Sequence, residues 1–175
     1  MRGFEVVKAS PEVYVTIFDY GFAPQGLALR ESLSRHAGDF TLWVLSMDRK
    51  LTGLLSTLNL PCLRVLDLSE VENQDLLRVK SSRSRREYCW TLTPFVFDFV
   101  FERDTNAQRV TYVDADVFLR SDPASIFESL ESSGKSVQIT EHAYSADLDT
   151  SEEHGRFCVQ FLTMNRIGSE AVRSD

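Results

Sequence analysis

Hydrophobic positions along this chain recur with two periods, one typical of strands and one typical of helices. Residues 14–18 alternate β-branched and aromatic side chains and lead into a turn-like segment, residues 19–24, which predicts a first strand followed by a loop. Leu29, Leu33 and Ala37 then repeat at helical spacing, and a glycine stops the repeat. The pattern therefore predicts a strand followed by a helix.

The same order of elements repeats immediately afterwards. Apolar residues 41–46 and 63–66 predict strands, and residues 49–60 predict a helix that ends before Pro61. Strands that alternate with helices through short links form parallel sheets with right-handed crossovers. The prediction is an α/β fold with a mostly parallel sheet and flanking helices.

Helical signals continue in the middle of the chain. Residues 69–79 predict a weakly patterned helix, and residues 80–84 predict a polar loop. Ser84 and Glu87 have the spacing of a capping box, in which two side chains accept hydrogen bonds from free backbone amides at a helix start. A helix is therefore expected to begin directly after Ser84.

Pro94 interrupts this helical region. Because proline is tolerated in the first turn of a helix, we expect the helix to kink or restart there, with Thr93 as its cap. The predicted buried face comprises Phe95, Val96, Phe99 and Val100. The remaining strands are predicted at residues 109–113, 137–140 and 157–164, with a polar, acidic loop at residues 146–154.

The acidic composition narrows the range of functions. A net charge of −7 denies the chain the positive field with which general nucleic-acid binders attract phosphates, so no nucleic-acid partner is expected. Four basic residues nevertheless stand close together, namely Lys80, Arg83, Arg85 and Arg86. This pattern favours one discrete anion site over a broad basic surface.

Length and hydropathy predict a single domain over residues 1–175. The longest apolar stretch, residues 94–101, contains Asp98 and is far shorter than the roughly 20 residues that span a bilayer. The first residues lack the apolar core and cleavage site of a secretory signal, so a cytoplasmic location is expected. Three cysteines at wide spacing indicate neither a disulfide framework nor a zinc site.

Two carboxylates follow a predicted buried strand. Asp114 and Asp116 stand two apart after apolar residues 110–113, and side chains two apart in extended backbone share a face. Ligands of open α/β sheets bind at the carboxyl ends of the strands. Because neighbouring anions repel and a hard divalent cation relieves the repulsion, we interpret the pair as a cation site. The alternative is that both aspartates only cap the following turn.

Other polar residues allow two interpretations each. Arg85 and Arg86 lie in the first helical turn after Ser84, where free amides also favour anions, so they form either a phosphate site or a solvated charged loop. His142, after another strand, is either a ligand or substrate contact or an ordinary loop histidine. Asp19 either accepts hydrogen bonds from a base or ribose or is a turn aspartate.

Tyr88 and Trp90 are aromatic residues of the same predicted helix. Aromatic side chains bury large apolar areas, so a place in the core is the expectation for both. The alternative is that one of them forms a platform for a sugar ring.

The ordered set of motifs resembles a known family. Residues 112–118, which contain the aspartate pair, look like the DxD segment of GT-A fold glycosyltransferases, particularly family-8-like enzymes and bacterial relatives in surface-polysaccharide synthesis. Further matches are residues 18–20, 86–94, 121–123, 126–128, 140–142 and 155–160. The likeness covers residues 13–165.

This resemblance implies a Rossmann-like GT-A fold and a metal-dependent glycosyltransferase. The enzyme would move a sugar from a nucleotide-sugar donor, a UDP-sugar, to a saccharide or lipid-linked acceptor with retention of configuration. Asp116 would ligate Mn²⁺ or Mg²⁺, and Asp114 would bind the metal or the donor ribose. The donor-binding residues that the resemblance implies are Asp19, Arg85, Arg86, Asp114, His142 and Gln160.

Three departures from the family pattern change the expectation. Trp90 stands two residues after Tyr88, where the family usually has arginine, and Cys158 stands where asparagine is common. The family usually continues well past the equivalent of residue 175 to supply a third metal ligand, often histidine, and most of the acceptor site. An acceptor part is therefore expected to be missing, no catalytic residue is assigned, and peripheral membrane association is left open.

Two other functions fit parts of the sequence. Haloacid-dehalogenase-like phosphatases also carry Asp-x-Asp after an apolar strand, and Thr140 has the position of their second-motif hydroxyl. Against this, more than a hundred residues of α/β pattern precede the pair, and no downstream lysine and acidic pair is evident. A non-catalytic nucleotide-sugar-binding or assembly module fits the expected absence of an acceptor part.

Overall fold

Strands and helices alternate along residues 11–145, 147 and 149–173, the part of the chain that this computed structural model describes. The strands are β1 (Glu12–Phe18), β2 (Phe40–Ser46), β3 (Leu63–Asp67), β4 (Arg109–Val113), β5 (Val137–Glu141) and β6 (Phe157–Asn165). The helices are α1 (Ala23–His36), α2 (Arg49–Leu58), α3 (Gln74–Lys80), α4 (Arg85–Leu92), α5 (Val96–Arg103), α6 (Ala124–Ser133), α7 (Ser151–His154) and α8 (Glu170–Arg173). Three 3₁₀ turns lie at Tyr20–Phe22, Leu68–Glu70 and Thr93–Phe95.

The strands form one sheet in the order β3-β2-β1-β4-β6-β5. β1 is parallel to both β2 and β4, and β2 is parallel to β3, whereas β6 is antiparallel to β4 and β5. The predicted α/β class with a mostly parallel sheet is thereby confirmed. The connections run to opposite sides of β1, which creates a switch point between the carboxyl ends of β1 and β4.

Helices cover both faces of the sheet, and β1 contributes to both cores. Val13, Val15 and Ile17 pack in the core that includes α3, α4 and α5, whereas Tyr14 and Phe18 pack in the core that includes α1, α2 and α6. A strand covered on both faces has a nearly continuous run of apolar residues. β1 is thus packed from both sides of the sheet.

The predicted capping box begins α4. The Glu87 amide donates to Ser84 Oγ at 3.3 Å, and the Ser84 amide donates to Glu87 Oε2 at 2.7 Å. With the start of α4 fixed, Tyr88 and Leu92 face the core, while Trp90 is 62% exposed. A core position is therefore confirmed for Tyr88 and wrong for Trp90.

The buried face after Pro94 differs from the predicted one. Phe95 is exposed and Phe99 is half-buried; the buried residues are Val96, Phe97, Val100 and Phe101. Pro94 lies in a 3₁₀ turn, whose tighter winding changes the phase of the helix that follows. Thr93 does not cap α5, because its hydroxyl donates to the carbonyl oxygen of Cys89 at 3.2 Å.

The segment between β5 and β6 matches its predicted polar character only in part. The predicted loop at residues 146–154 ends in the short helix α7, and residues 146 and 148 lie outside the described residues. None of the described helices combines the length and apolar composition needed to cross a bilayer.

Candidate functional site

A cavity of about 550 Å³ opens at the switch point between β1 and β4. Its walls come from the end of β1, the turn after β4 and one face of α4. The volume lies within the range of small-molecule sites, about 300–1,000 Å³. The predicted site residues that line it are Asp19, Arg85, Arg86, Asp114 and Asp116.

Asp114 is anchored at the end of β4. Its amide donates to the carbonyl oxygen of Gln160 at 3.0 Å, and the hydroxyl of Tyr112 donates to its Oδ1 at 2.7 Å. Burial raises the pKa of Asp114 and the charge of Asp116 adds to the rise, while the Tyr112 hydrogen bond opposes it. A positive charge placed beside this carboxylate would therefore be stabilising.

Asp116 reaches the cavity from a turn. β4 ends at Val113, and the amide of Val117 donates to the carbonyl oxygen of Asp114 at 3.1 Å, which closes a turn around Ala115 and Asp116. The idea that extended backbone places both carboxylates on one face is therefore wrong. The turn brings both to the same cavity by a different route.

The carboxylate pair suits a hard divalent cation. Carboxylate oxygens are preferred ligands of Mg²⁺ and Mn²⁺, and Asp114 Oδ2 accepts no hydrogen bond from any described residue. Within the described ranges, no group of three His, Cys, Asp or Glu side chains is arranged to hold a metal ion. A cation held by this pair would take its other ligands from water or from a bound anion, and its presence stays a prediction.

Arg85 is balanced by two carboxylates. Its Nε lies 3.3 Å from Asp19 Oδ2, and its Nη2 lies 3.1 Å from Asp48 Oδ2. Asp19 also accepts a hydrogen bond from the Gly21 amide at 2.9 Å and so caps the 3₁₀ turn after β1. Asp19 thus acts as a turn residue and also lines the cavity.

Asp48 is a polar residue beside the site that the motif analysis misses. Its two oxygens accept hydrogen bonds from the amides of Leu51 and Tyr20, each at 3.0 Å. Burial acts to raise the pKa of Asp48, but these amides and the charge of Arg85 together hold it below the ordinary value. An aspartate directly before a helix is a common N-cap, which is the one signal that points to Asp48.

One face of α4 supplies the remaining wall. Arg86 and Trp90 are one helical turn apart and line the cavity together with Cys89. Arg86 makes no ion pair with any residue of the described ranges, in contrast to Arg85. Burial, with the charges of Asp114 and Asp19, raises the pKa of Cys89 to about 11, so its thiol is protonated at neutral pH.

His142 and Gln160 lie on the other side of β4 and do not line the cavity. The His142 ring stacks on Tyr144 with centroids 4.8 Å apart, and its amide donates to the carbonyl oxygen of Arg156 at 2.9 Å. Gln160 is exposed in β6, where its carbonyl oxygen pairs with Asp114. Donor contacts by His142 and Gln160 stay predictions.

Two curated relatives match part of this chain, whereas no protein-family model matches it. YfnF of Bacillus subtilis (strain 168) is 34% identical over 116 residues, which is 66% of this chain and 38% of YfnF. YfnD of the same strain is 36% identical over 132 residues, which is 75% of this chain and 42% of YfnD. Both are described as uncharacterized, and the chain spans about two fifths of their length.

Solved glycosyltransferase structures share the fold. Mouse xyloside xylosyltransferase 1 has a TM-score of 0.61 at 12% identity, covering 92% of this chain and 69% of that protein. The galactosyltransferase LgtC, solved with donor and acceptor sugar analogs, has 0.58 at 14%, covering 87% and 57%. GlyE of Streptococcus pneumoniae TIGR4 has 0.54 at 19%, covering 94% and 37%. The chain has the GT-A-type α/β fold of these glycosyltransferases.

Proposed function

We propose that this chain is the donor-binding part of a glycosyltransferase, which takes a nucleotide sugar, in particular a UDP-sugar, into the cavity between β1 and β4. The observation that carries the proposal is that three charged groups line one cavity, namely Asp114, Asp116 and Arg86. Among the described residues, Arg86 has no ion-pair partner. A diphosphate with a bridging cation complements both signs of charge. The sugar would pass to a saccharide or lipid-linked acceptor.

Each wall of the cavity has a role in this proposal. Asp114 and Asp116 would hold Mn²⁺ or Mg²⁺, and the bound cation would supply positive charge against the diphosphate as it leaves. Arg86 would contact the diphosphate from the first turn of α4, where free amides and the helix dipole also favour anions. The end of β1, with Asp19, would line the nucleoside.

The proposed stereochemistry and the proposed pathway are based on the family resemblance. We expect transfer with retained anomeric configuration, in the manner of family-8-like enzymes, and a role in surface-polysaccharide synthesis. The structural neighbours include a xylosyltransferase and a galactosyltransferase, so this fold accommodates more than one donor sugar.

Calorimetry with UDP-glucose and UDP-galactose tests the proposed cation site. The wild-type chain is expected to bind at least one of them with Mn²⁺ and to lose about tenfold or more of that affinity when EDTA removes the metal, a change of about 1.4 kcal/mol. Asp116→Ala is expected to bind weakly in both conditions, because one of the two metal-holding carboxylates is gone.

Glu128→Ala is the matched control for Asp116→Ala. It removes one negative charge from an exposed position of α6, outside the cavity, and should leave the affinity and its metal dependence unchanged. An Asp116→Ala variant that keeps wild-type affinity would contradict the assigned ligand.

Turnover assays separate the proposed enzyme from its alternatives. Metal-dependent binding without donor hydrolysis or sugar transfer would identify a non-catalytic nucleotide-sugar-binding module. Hydrolysis of a simple phosphate ester, or a trapped aspartyl phosphate on Asp114, would identify a phosphatase instead.

A further inference from the structure

Trp90 presents a large apolar side chain to the cavity. Trp90 is 62% exposed and lines the same cavity as Arg86 and Asp114. The helical phase of α4 turns Tyr88 and Leu92 towards the core and leaves Trp90 outside it. Each Å² of apolar indole surface that a ligand covers contributes about 25 cal/mol to the free energy of binding.

The position of Trp90 along α4 relates it to the charged groups. At the start of the helix, Arg85 is paired with Asp19 in the loop after β1. Arg86 is the next residue, and Trp90 lies four residues further on, about 6 Å along the helix axis. Along α4 the order is therefore Arg85 with its partner Asp19, then Arg86, then Trp90.

The parts of a nucleotide sugar have a matching order, which is nucleoside, diphosphate and sugar. A pyranose ring has an apolar face of C–H groups and a polar rim of hydroxyls. The apolar face is complementary to an indole, and the hydroxyls can hydrogen-bond to water or to carboxylates such as those of Asp114 and Asp116.

We propose that Trp90 stacks on the sugar ring of the donor and is a specificity-determining residue for a pyranose. This inference rests on the proposed function, because it requires the nucleoside diphosphate of the donor to bind beside Asp19 and Arg86. Trp90 touches the transferred group and takes no part in proton transfer.

Calorimetry with Mn²⁺ and three probes, UDP, UDP-glucose and UDP-galactose, tests the stacking. Trp90→Ala is expected to weaken binding of the better UDP-hexose by about five- to tenfold, the effect of a lost stacking contact, and to leave UDP within about twofold. Trp90→Phe keeps an aromatic face and should recover part of the loss. Phe95→Ala removes another exposed aromatic ring, outside the cavity lining. It should change neither the UDP affinity nor the UDP-hexose affinity.

Fluorescence provides a readout that keeps Trp90 intact. The chain has two tryptophans, and the other one, Trp43, lies half-buried in β2 outside the cavity lining. In Trp43→Phe, Trp90 is the single indole reporter. UDP-hexose with Mn²⁺ is expected to shield Trp90 from acrylamide quenching, whereas UDP with Mn²⁺ is expected to leave the quenching unchanged.

The outcomes distinguish this inference from the proposed function. Equal weakening of UDP and UDP-hexose by Trp90→Ala would put the indole on the nucleoside and overturn the inference. The inference is also overturned if Trp90→Ala leaves the UDP-hexose affinity unchanged and UDP-hexose leaves the acrylamide quenching of Trp90 unchanged. This holds even where UDP binds with Mn²⁺. If wild type binds none of the three probes with Mn²⁺, both the proposed function and this inference fail.

Discussion

Arg85 and Arg86 are neighbours in sequence but differ in their surroundings. Arg85 contacts two carboxylates, and Arg86 lines the cavity without an ion pair to a described residue. An arginine whose charge is already balanced must exchange those contacts before it can bind a phosphate. The two residues should therefore contribute unequally to anion binding.

Alanine substitutions test this inequality. Arg86→Ala is expected to weaken Mn²⁺-supported binding of UDP about tenfold, since a hydrogen bond between charged groups contributes about 1.5–3 kcal/mol. Arg85→Ala should cost clearly less, because Asp19 and Asp48 already hold its guanidinium. Calorimetry measures both, and each variant controls for the charge change of the other. Equal losses would show that Arg85 leaves its carboxylates when the ligand binds.

Asp48 connects the site to the stability of the fold. Asp48→Ala removes the acceptors for the Leu51 and Tyr20 amides and is expected to lower the free energy of unfolding by about 1–2 kcal/mol. Asp48→Asn keeps a capping oxygen, so its free energy of unfolding should fall by less. Urea denaturation at pH 7 measures both variants, and an unaffected Asp48→Ala would mean that α2 starts without this cap.

The same carboxylate gives the stability a pH dependence. The folded state holds the pKa of Asp48 below its ordinary value, so its contribution is present above the unfolded pKa and is lost as pH falls through the folded one. The stability difference between wild type and Asp48→Asn should therefore be present at pH 7 and shrink below about pH 4.

At the scale of single residues, the sequence shows which chemical groups are present more readily than it shows which residues are in contact. The aspartate pair and the arginines are recognisable because a carboxylate pair after a strand and basic residues in a first helical turn have a direct chemical meaning. The ion pair of Arg85 with Asp48 joins residues 37 positions apart, and no local pattern encodes that separation. Trp90 shows the same limit, because its exposure depends on what α4 packs against.

Two glycines show how tightly each helix packs against its surroundings. A Cβ at Gly26, in α1, would lie 2.3 Å from the Phe18 ring, whereas a Cβ at Gly53, in α2, would meet nothing within 4 Å. Phe18 is a core residue that also lines the cavity. Close approach of α1 to β1 therefore helps to hold one wall of the cavity in place.

Opposite effects are expected from the same substitution at these two glycines. Gly26→Ala should lower the free energy of unfolding by about 1–3 kcal/mol, because the Phe18 ring would have to move. Gly53→Ala should raise it by about 0.5–1 kcal/mol, because alanine has the better helix propensity. Thermal or urea unfolding compares the two variants. A stabilising effect of Gly26→Ala would mean that α1 can shift away from Phe18 without a loss of stability.

At the scale of elements, local interactions were predictable and helical phase was not. The capping box of α4 involves residues three apart, so the sequence contains all of its information. The buried face of α5 depends on a 3₁₀ turn around Pro94, and a kink and a restart give the helix different phases. Phe97 and Phe101 were therefore missed as core residues.

For the whole molecule, alternation of strands and helices predicts the parallel part of the sheet. It does not predict that β6 is antiparallel, because the apolar pattern of a strand is the same in either direction. β6 lies antiparallel between β4 and β5, and this placement arises from pairing between distant segments. The switch point next to β4, and with it the position of the cavity, emerges only at this level.

The place of β6 has a consequence for how the protein is made. β5 leaves the ribosome before β6, yet it pairs with β6 at the edge of the sheet, so its partner does not exist when it emerges. Until β6 is synthesised, the nascent chain has open sheet edges on both β3 and β4 and an unpaired strand β5, all able to associate with other chains. The sheet is therefore completed only after residue 165 has been synthesised, and a polypeptide that ends before residue 157 is expected to aggregate more readily.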